Sequence, residues 1–317
     1  MIATPWKSFT PVDGDDGGEL KGLRLKPGPI TDYIGRNGYD PNFIPGVELA
    51  LPGLGENTPD ATPLHDEALF EDGADPHELK YQNFSVKMCR SRRQPFYSAV
   101  NIDGRQSARG VERTNIWKYD PRIPIDAQII KECYGRKEDG LFSRGHMTRR
   151  EDPNWGASMD LIKQADADTF HVTNASPQQQ GFNAGLWLDL ESYILDNTDD
   201  ENIRASVLTG PIFDQDDPIY RGVKVPISFW KIVAFTHPAT KAPAAIAYRR
   251  TQASFLPKPS KSRFIFGDFD DTQVSIVSLA EDTGLDLSSW EPLDVMTSAP
   301  SEMEVRLRSV ADAYLNP

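Results

Sequence analysis

"LFSRGHMTRREDPNWG", residues 141–156, gathers three arginines, Arg144, Arg149 and Arg150, around His146, one of only five histidines. The whole chain runs the other way, with 34 Lys+Arg against 47 Asp+Glu and a formal net charge of -13. Positive charge concentrated around an imidazole in an acidic chain has two readings. It is a solvated basic hairpin neutralised by acidic neighbours, or it is a focused site for an anion. As chemistry, nearby cations favour the neutral ring by lowering its pKa, and a neutral ring is what a general base needs near neutral pH.

The charge is blocked along the sequence. Residues 1–86 carry a net of -9, residues 87–150 a net of +8 and residues 151–317 a net of -12. An overall negative charge argues against long-range attraction to nucleic acid, while the basic block predicts a local anion site. The 317 residues, 35.4 kDa, suffice for a sizeable core. No run approaches the roughly 18 to 20 apolar residues that span a bilayer. The opening "MIATPWKSFTPVDGDDGG" lacks a basic n-region and an apolar h-region, so no secretory signal is expected. Cys89 and Cys133 make neither a disulfide framework nor a CxxC site, which predicts a reduced, cytoplasmic setting.

Outward from the arginine-rich stretch, the pattern predicts an α+β layout around a mostly antiparallel sheet. Residues 1–78 are rich in Pro, Gly and Asp ("PVDGDDGGE", "LPGLGENTPDATP") and read as an irregular arm; residues 79–317 read as the main domain. "NFSVKMC" and "FYSAVNIDG" read as strands joined by the turn "SRRQP". "LFSRGHMT", "ASVLTGPIF", "FWKIVAF" and "AAIAYRRTQ" are also strand-like, and "FHVTNASPQ" reads as strand then turn. "MDLIKQADADTF" predicts a short helix. "NAGLWLDLESYILDN" predicts the clearest helix, with Leu186, Trp187, Leu190 and Ile194 at helical spacing. "DTQVSIVSLAEDTGL" predicts a late helix with Asp271 as N-cap and Gly284 as its stop.

Three polar residues follow the histidine: Asn174, Asn183 and Glu191. Asn183 at a helix start and Glu191 two turns on share one broad side of that helix. An amide oxygen and a carboxylate are hard ligands that suit Mg²⁺, an ion that keeps several waters. Each has an ordinary alternative: Asn183 as an N-cap, Asn174 as a turn residue, Glu191 as a surface acid.

Taken in order and spacing, these segments resemble the DNA/RNA non-specific endonucleases, the ββα-metal (His-Me finger) nucleases that include endonuclease G. The resemblance runs from about Leu79 to Leu287 through "RRQPFYSAVNIDG", "RTNIWKYDPRIP", "SRGHMTRREDPNWG", "DTFHVTNASPQ", "FNAGLWLDLE" and "TGPIF". It implies a ββα-metal nuclease fold with helices flanking the central sheet, and hydrolysis of phosphodiester bonds in DNA or RNA to give 5′-phosphate products. By the same resemblance, His146 is the base that activates water and Arg144 supports the phosphate site. Asn183 is the direct ligand of Mg²⁺ or Mn²⁺, and Glu191 holds the metal's water shell. Asn174 braces the histidine region and contacts substrate. Arg113 matches the arginine that stabilises the transition state, with Arg109 as a second candidate; Arg109, Arg149 and Arg150 are expected to bind substrate. The implied partner is nucleic acid as substrate, with no membrane, and with room for a homodimer and for a protein inhibitor or activator. The family's motif usually begins with Asp, and Ser143 stands in its place. That departure motivates an alternative: a catalytically weakened nuclease-fold protein that binds nucleic acid or a protein partner.

Overall fold

The computed structural model describes residues 23–24, 28–113, 116–134, 142–179, 182, 203–237, 241–253, 256, 271–296 and 305–306. Its strands, in chain order, are β1 (Leu23–Arg24), β2 (Glu78–Tyr81), β3 (Phe84–Cys89), β4 (Gln94–Asp103), β5 (Trp117–Lys118), β6 (Ser143–His146) and β7 (Ala175–Gln178). Then come β8 (Arg204–Ile212), β9 (Ile219–Tyr220), β10 (Val223–Lys224), β11 (Ser228–Thr236), β12 (Pro243–Thr251), β13 (Asp271–Val274) and β14 (Val305–Arg306). Two α-helices are described, α1 (Met159–Asp168) and α2 (Ile276–Thr283).

Eight strands form one antiparallel sheet in the order β14-β13-β12-β11-β8-β4-β3-β2. The alternation in "FYSAVNIDG" dictates its two faces. Tyr97 and Ala99 point into a cluster with Leu208, Trp230 and Ile232. Val100 and Ile102 point the opposite way, towards Val207, Val233 and Ile246. Both faces are therefore covered, and β4 is buried at every position. The "SRRQP" turn closes the β3–β4 hairpin, with Arg93 in the left-handed region at φ 58°.

Composition predicts loops over the Pro/Gly/Asp-rich first part, and residues 28–77 do hold only three short 3-10 turns. They are nevertheless packed. Tyr39, Ile44, Leu49 and Leu54 enter the first cluster, where Tyr39 stacks on Trp290. Tyr33 enters the second cluster and donates from its hydroxyl to His171 Nε2 at 2.7 Å.

Two local expectations are corrected. "DTQV" is strand β13 paired with Ala247–Arg250, so Asp271 is not a helix cap; the Ser275 side chain accepts from Ser278 N and begins α2. Gly284, at φ 67°, ends that helix as the sequence predicts. "FHVTNASPQ" is a 3-10 turn over Val172–Asn174 followed by a strand, the reverse of the expected order. The helix predicted over residues 183–197 lies outside the described residues. No helix among the described residues is long and apolar enough to cross a membrane. Cys89 and Cys133 are both free and buried.

Candidate active site

Strands β6 and β7 form a separate two-stranded antiparallel sheet, with Arg144 opposite Pro177 and His146 opposite Ala175. Short polar links tie it to the main sheet. Ser176 Oγ donates to Gln94 Oε1 at 2.6 Å, and the Thr148 and Ser98 hydroxyls hydrogen-bond to each other. Gln252, just beyond β12, donates to Pro177 O and Pro226 O and accepts from Gln179 N at 2.8 Å. The strand carrying the histidine is thus braced on a rigid layer.

The motif glycine has a packing reason. A Cβ at Gly145 would collide with the side chain of Gln178, its diagonal neighbour on β7, which is 1% exposed. Gly145→Ala should cost about 1–3 kcal/mol, the usual penalty for overpacking a closed interior. A denaturant melt checks this; an unchanged midpoint would show that Gln178 moves aside freely.

Arg144 and His146 are two residues apart on one strand and so share a face. Both meet Trp117 of β5. The His146 ring centroid lies 4.8 Å from that of Trp117 and 5.3 Å from that of Phe170, the latter edge-to-face. The Arg144 guanidinium lies 4.5 Å from the Tyr134 ring centre and 5.6 Å from that of Trp117, and its Nη2 donates to Ile130 O at 2.8 Å. Arg113 is exposed, and its guanidinium lies 5.5 Å from the Phe170 ring centre.

This cage sets the state of the imidazole. His146 is half-buried overall, but its Nε2 is shut off from solvent and has no hydrogen-bond partner. Burial, and then the fields of Arg113 and Arg150, push its pKa down to about 3. With Nε2 enclosed, an imidazole that is to accept a proton from water would have to carry its own proton on Nε2 and accept at Nδ1.

Asn174 is 0% exposed, and its amide is spent on the backbone around the histidine. Its Oδ1 accepts from Thr148 N at 2.9 Å, and its Nδ2 donates to Thr148 O at 3.0 Å and Thr169 O at 3.1 Å. Its own carbonyl accepts from Met147 N at 2.9 Å. These bonds hold the turn directly after His146.

The other arginines gather around Glu151. Arg150 bonds Glu151 Oε1 at 2.7 Å, buried Asp166 at 2.6 Å and Val111 O at 3.0 Å, which ties the 109–113 loop to α1. Arg149 and Arg109 approach Glu151 Oε2 at 3.6 and 3.9 Å. Trp155 closes the segment by donating to Asn101 O at 2.7 Å. Asn183 and Glu191 lie outside the described residues. Their neighbour Phe182 is fully buried and packs with Met147 and Phe229. No cluster of three or more His, Cys, Asp or Glu suited to a metal occurs among the described residues.

Sequence reasoning finds the polar groups here but misses the rings that enclose the imidazole. Trp117 and Phe170 sit 29 and 24 residues from His146 on either side. The only sequence signal for them is aromatic character within "NIWKYDP" and "DTFHVTN".

Comparison with known proteins gives the family of the chain. The family model for DNA/RNA non-specific endonuclease matches residues 67–292, and the chain belongs to that family. It is 38% identical to "Uncharacterized protein y4fB" of Sinorhizobium fredii over 90% of this chain and 43% of that protein. It is 24% identical to "Nuclease" of Serratia marcescens over 60% of this chain and 67% of that one, and 26% identical to "Nuclease" of Nostoc sp. over 61% and 66%. The chain thus spans less than half the length of the Sinorhizobium protein and about two thirds of the two nucleases. The solved structure "Crystal structure of the EndoG/EndoGI complex: Mechanism of EndoG inhibition" aligns with a TM-score of 0.49 at 22% identity, over 68% of this chain and 86% of that chain.

Proposed function

We propose that the chain is a divalent-metal-dependent, sugar-non-specific nuclease that hydrolyses phosphodiester bonds. The observation that carries this reading is His146: a neutral imidazole, caged by Trp117 and Phe170 beside Arg113, on a strand within the residues that the family model matches. Nδ1 takes the proton of the attacking water, and the Nε2 proton stays within the aromatic cage. Arg113 faces the charge that builds on the phosphorus oxygens, where a positioned cation is most effective. Arg144, flattened between two rings, fixes the wall of the site and adds positive potential. Asn174 is a positioning residue that holds the backbone after the base.

The fields of Arg113 and Arg150 at His146 fit a phosphodiester more than a bare cation, so a metal would need oxygen donors from elsewhere in the chain. The oxygen donors expected to hold Mg²⁺ or Mn²⁺ are Asn183 directly and Glu191 through water. When bound, such an ion supplies charge stabilisation at the leaving oxygen. The test is incubation with supercoiled plasmid, linear duplex and RNA, with Mg²⁺ or Mn²⁺ and with chelator. Cleavage of all three that stops in chelator is expected; full activity in excess EDTA would overturn the assignment.

The lowered pKa of His146 gives a pH prediction. A protonated imidazole cannot act as base, so activity falls as pH drops through the folded pKa. For the free enzyme that point is displaced from the ordinary ~6.5 towards about 3. kcat/KM should therefore show no histidine inflection between about pH 5 and 8. Bound polyanion offsets the arginine field, so the acid limb of kcat should lie at higher pH than that of kcat/KM. An inflection of kcat/KM near 6.5, lost in His146→Ala, would show that the cage does not hold in solution.

A further inference from the structure

His171 stands between two parts of the site without touching the reacting groups. It directly follows Phe170, a wall of the cage around His146, and its carbonyl accepts from Asn174 N at 2.9 Å. Asn174 in turn bonds Thr148 N and Thr148 O, just beyond the base. Phe170 O accepts from Lys118 N at 3.1 Å, which lays residues 170–171 alongside Trp117–Lys118 and sets one wall of the cage against the other. Residue 171 is therefore a junction from which both rings and the brace after His146 take their places.

The side chain of His171, fully buried, holds that junction. Its Nδ1 donates to Asp168 O at 2.7 Å, and its Nε2 accepts from the Tyr33 hydroxyl at 2.7 Å. Burial keeps the His171 pKa well below its ordinary value, so the ring stays neutral and Nε2 stays an acceptor. Three residues on from Tyr33, Arg36 Nε donates to Asp168 Oδ2 at 2.7 Å. Tyr33 and Arg36 thus grip one short loop at two points. Both precede residues 67–292, the span that the family model matches, so the grip comes from outside it.

We propose that Tyr33 is a positioning residue for catalysis: its hydroxyl, through His171, fixes Phe170, Trp117 and Asn174 around His146. This rests on the nuclease reading above and adds to it a residue remote from the chemistry. Loss of the hydroxyl leaves a buried acceptor without a donor, which costs more than the net contribution of the bond. The loop relieves that cost by moving His171, and Phe170 moves with it because the two share a peptide bond. A general base acts only within hydrogen-bond reach of its water, so a small displacement of its walls is felt in the rate.

The experiment compares full-length wild type with Tyr33→Phe, the double variant Tyr33→Phe/His171→Phe, and Tyr97→Phe. The last removes another buried hydroxyl bond, from Tyr97 to Pro52 O at 2.8 Å, on the opposite face of the sheet. Three quantities are measured: melting temperature, kcat and KM for plasmid cleavage with Mg²⁺, and the ring signals of His146 in histidine-labelled protein in EDTA, assigned with His146→Ala. Tyr33→Phe and Tyr97→Phe should both melt below wild type. Only Tyr33→Phe should lose kcat, by roughly tenfold with KM little changed. Only it should shift the His146 signals, which feel the ring currents of Trp117 and Phe170. The double variant orphans no acceptor, so it should regain melting temperature without regaining kcat. Wild-type kcat and unmoved His146 signals in a Tyr33→Phe protein that melts lower would overturn the proposal and leave the hydroxyl a structural bond. An equal loss of kcat in Tyr97→Phe would overturn it too. If Tyr33→Phe does not fold, the double variant carries the same readouts; if neither folds, the hydroxyl belongs to the fold and the proposal falls. A wild type that cuts no nucleic acid would remove the nuclease reading, while the His146 signals would still report whether Tyr33 sets the cage.

Discussion

Replacing His146 with alanine is expected to lower cleavage of plasmid and RNA by at least about a hundredfold, the usual contribution of a positioned general base. The loss should appear in kcat, with duplex affinity in EDTA nearly unchanged. Nothing in the cage depends on the imidazole for hydrogen bonding, since Nε2 has no partner. The variant should therefore fold, and its melting temperature should stay close to wild type or rise at acid pH. That sign follows from linkage. A group whose folded pKa is depressed below its unfolded value is a source of instability as pH falls from ~6.5 towards the folded pKa, because the unfolded chain binds the proton more readily there. Deleting His146 removes that penalty. A His146→Ala protein that cuts at the wild-type rate would remove His146 as the base, whereas a wild type that binds duplex without cutting it would favour the binding-protein reading that Ser143 motivates.

The second large effect concerns metal. Asn183→Ala should weaken activation by Mg²⁺ or Mn²⁺ by more than the roughly 10–100-fold that loss of an outer-shell partner costs. Binding of Mn²⁺, followed by its electron paramagnetic resonance signal, should be lost in parallel. A neutral amide ligand implies a weakly held ion, so wild-type activity should be removed by chelator and restored by added metal. Undiminished Mn²⁺ binding in Asn183→Ala would place the ion on other residues. The same variant tested for duplex binding in EDTA should match wild type, which separates loss of metal from loss of fold.

The readable parts of this chain are those with a local cause. Alternation places β3, β4, β8, β11 and β12, because a sheet with both faces covered still keeps a period of two in which cluster each side chain joins. Gly284 is legible because its positive φ is costly for other residues. Asp271 misleads because two candidate caps stand four residues apart, and pairing with β12 claims the first for a strand. At the site, the basic stretch around His146 is visible in the sequence, but the sorting of its arginines is not. Arg150 is tied down by buried Asp166 while Arg109 and Arg149 meet at Glu151, and only tertiary contacts assign those partners. The strength of the pKa shift is equally hidden. Nearby arginines predict its direction, yet burial between Trp117 and Phe170 is the larger cause.

The union of Tyr33 with His171 reaches across 138 positions and has a practical side for anyone trimming the chain. His171 donates from Nδ1 to Asp168 O, so its other nitrogen must accept, and the Tyr33 hydroxyl is the donor that meets it. Trp290 likewise sends its indole N–H to Ala50 O. A shortened polypeptide begun at residue 79 would orphan both rings and uncover the apolar surface now roofed by Tyr39, Ile44 and Leu49. The stretch whose composition looks most dispensable thus works as a keystone. Its removal should yield sticky, insoluble protein instead of a smaller working enzyme, and the pellet fraction after expression is where that would be seen.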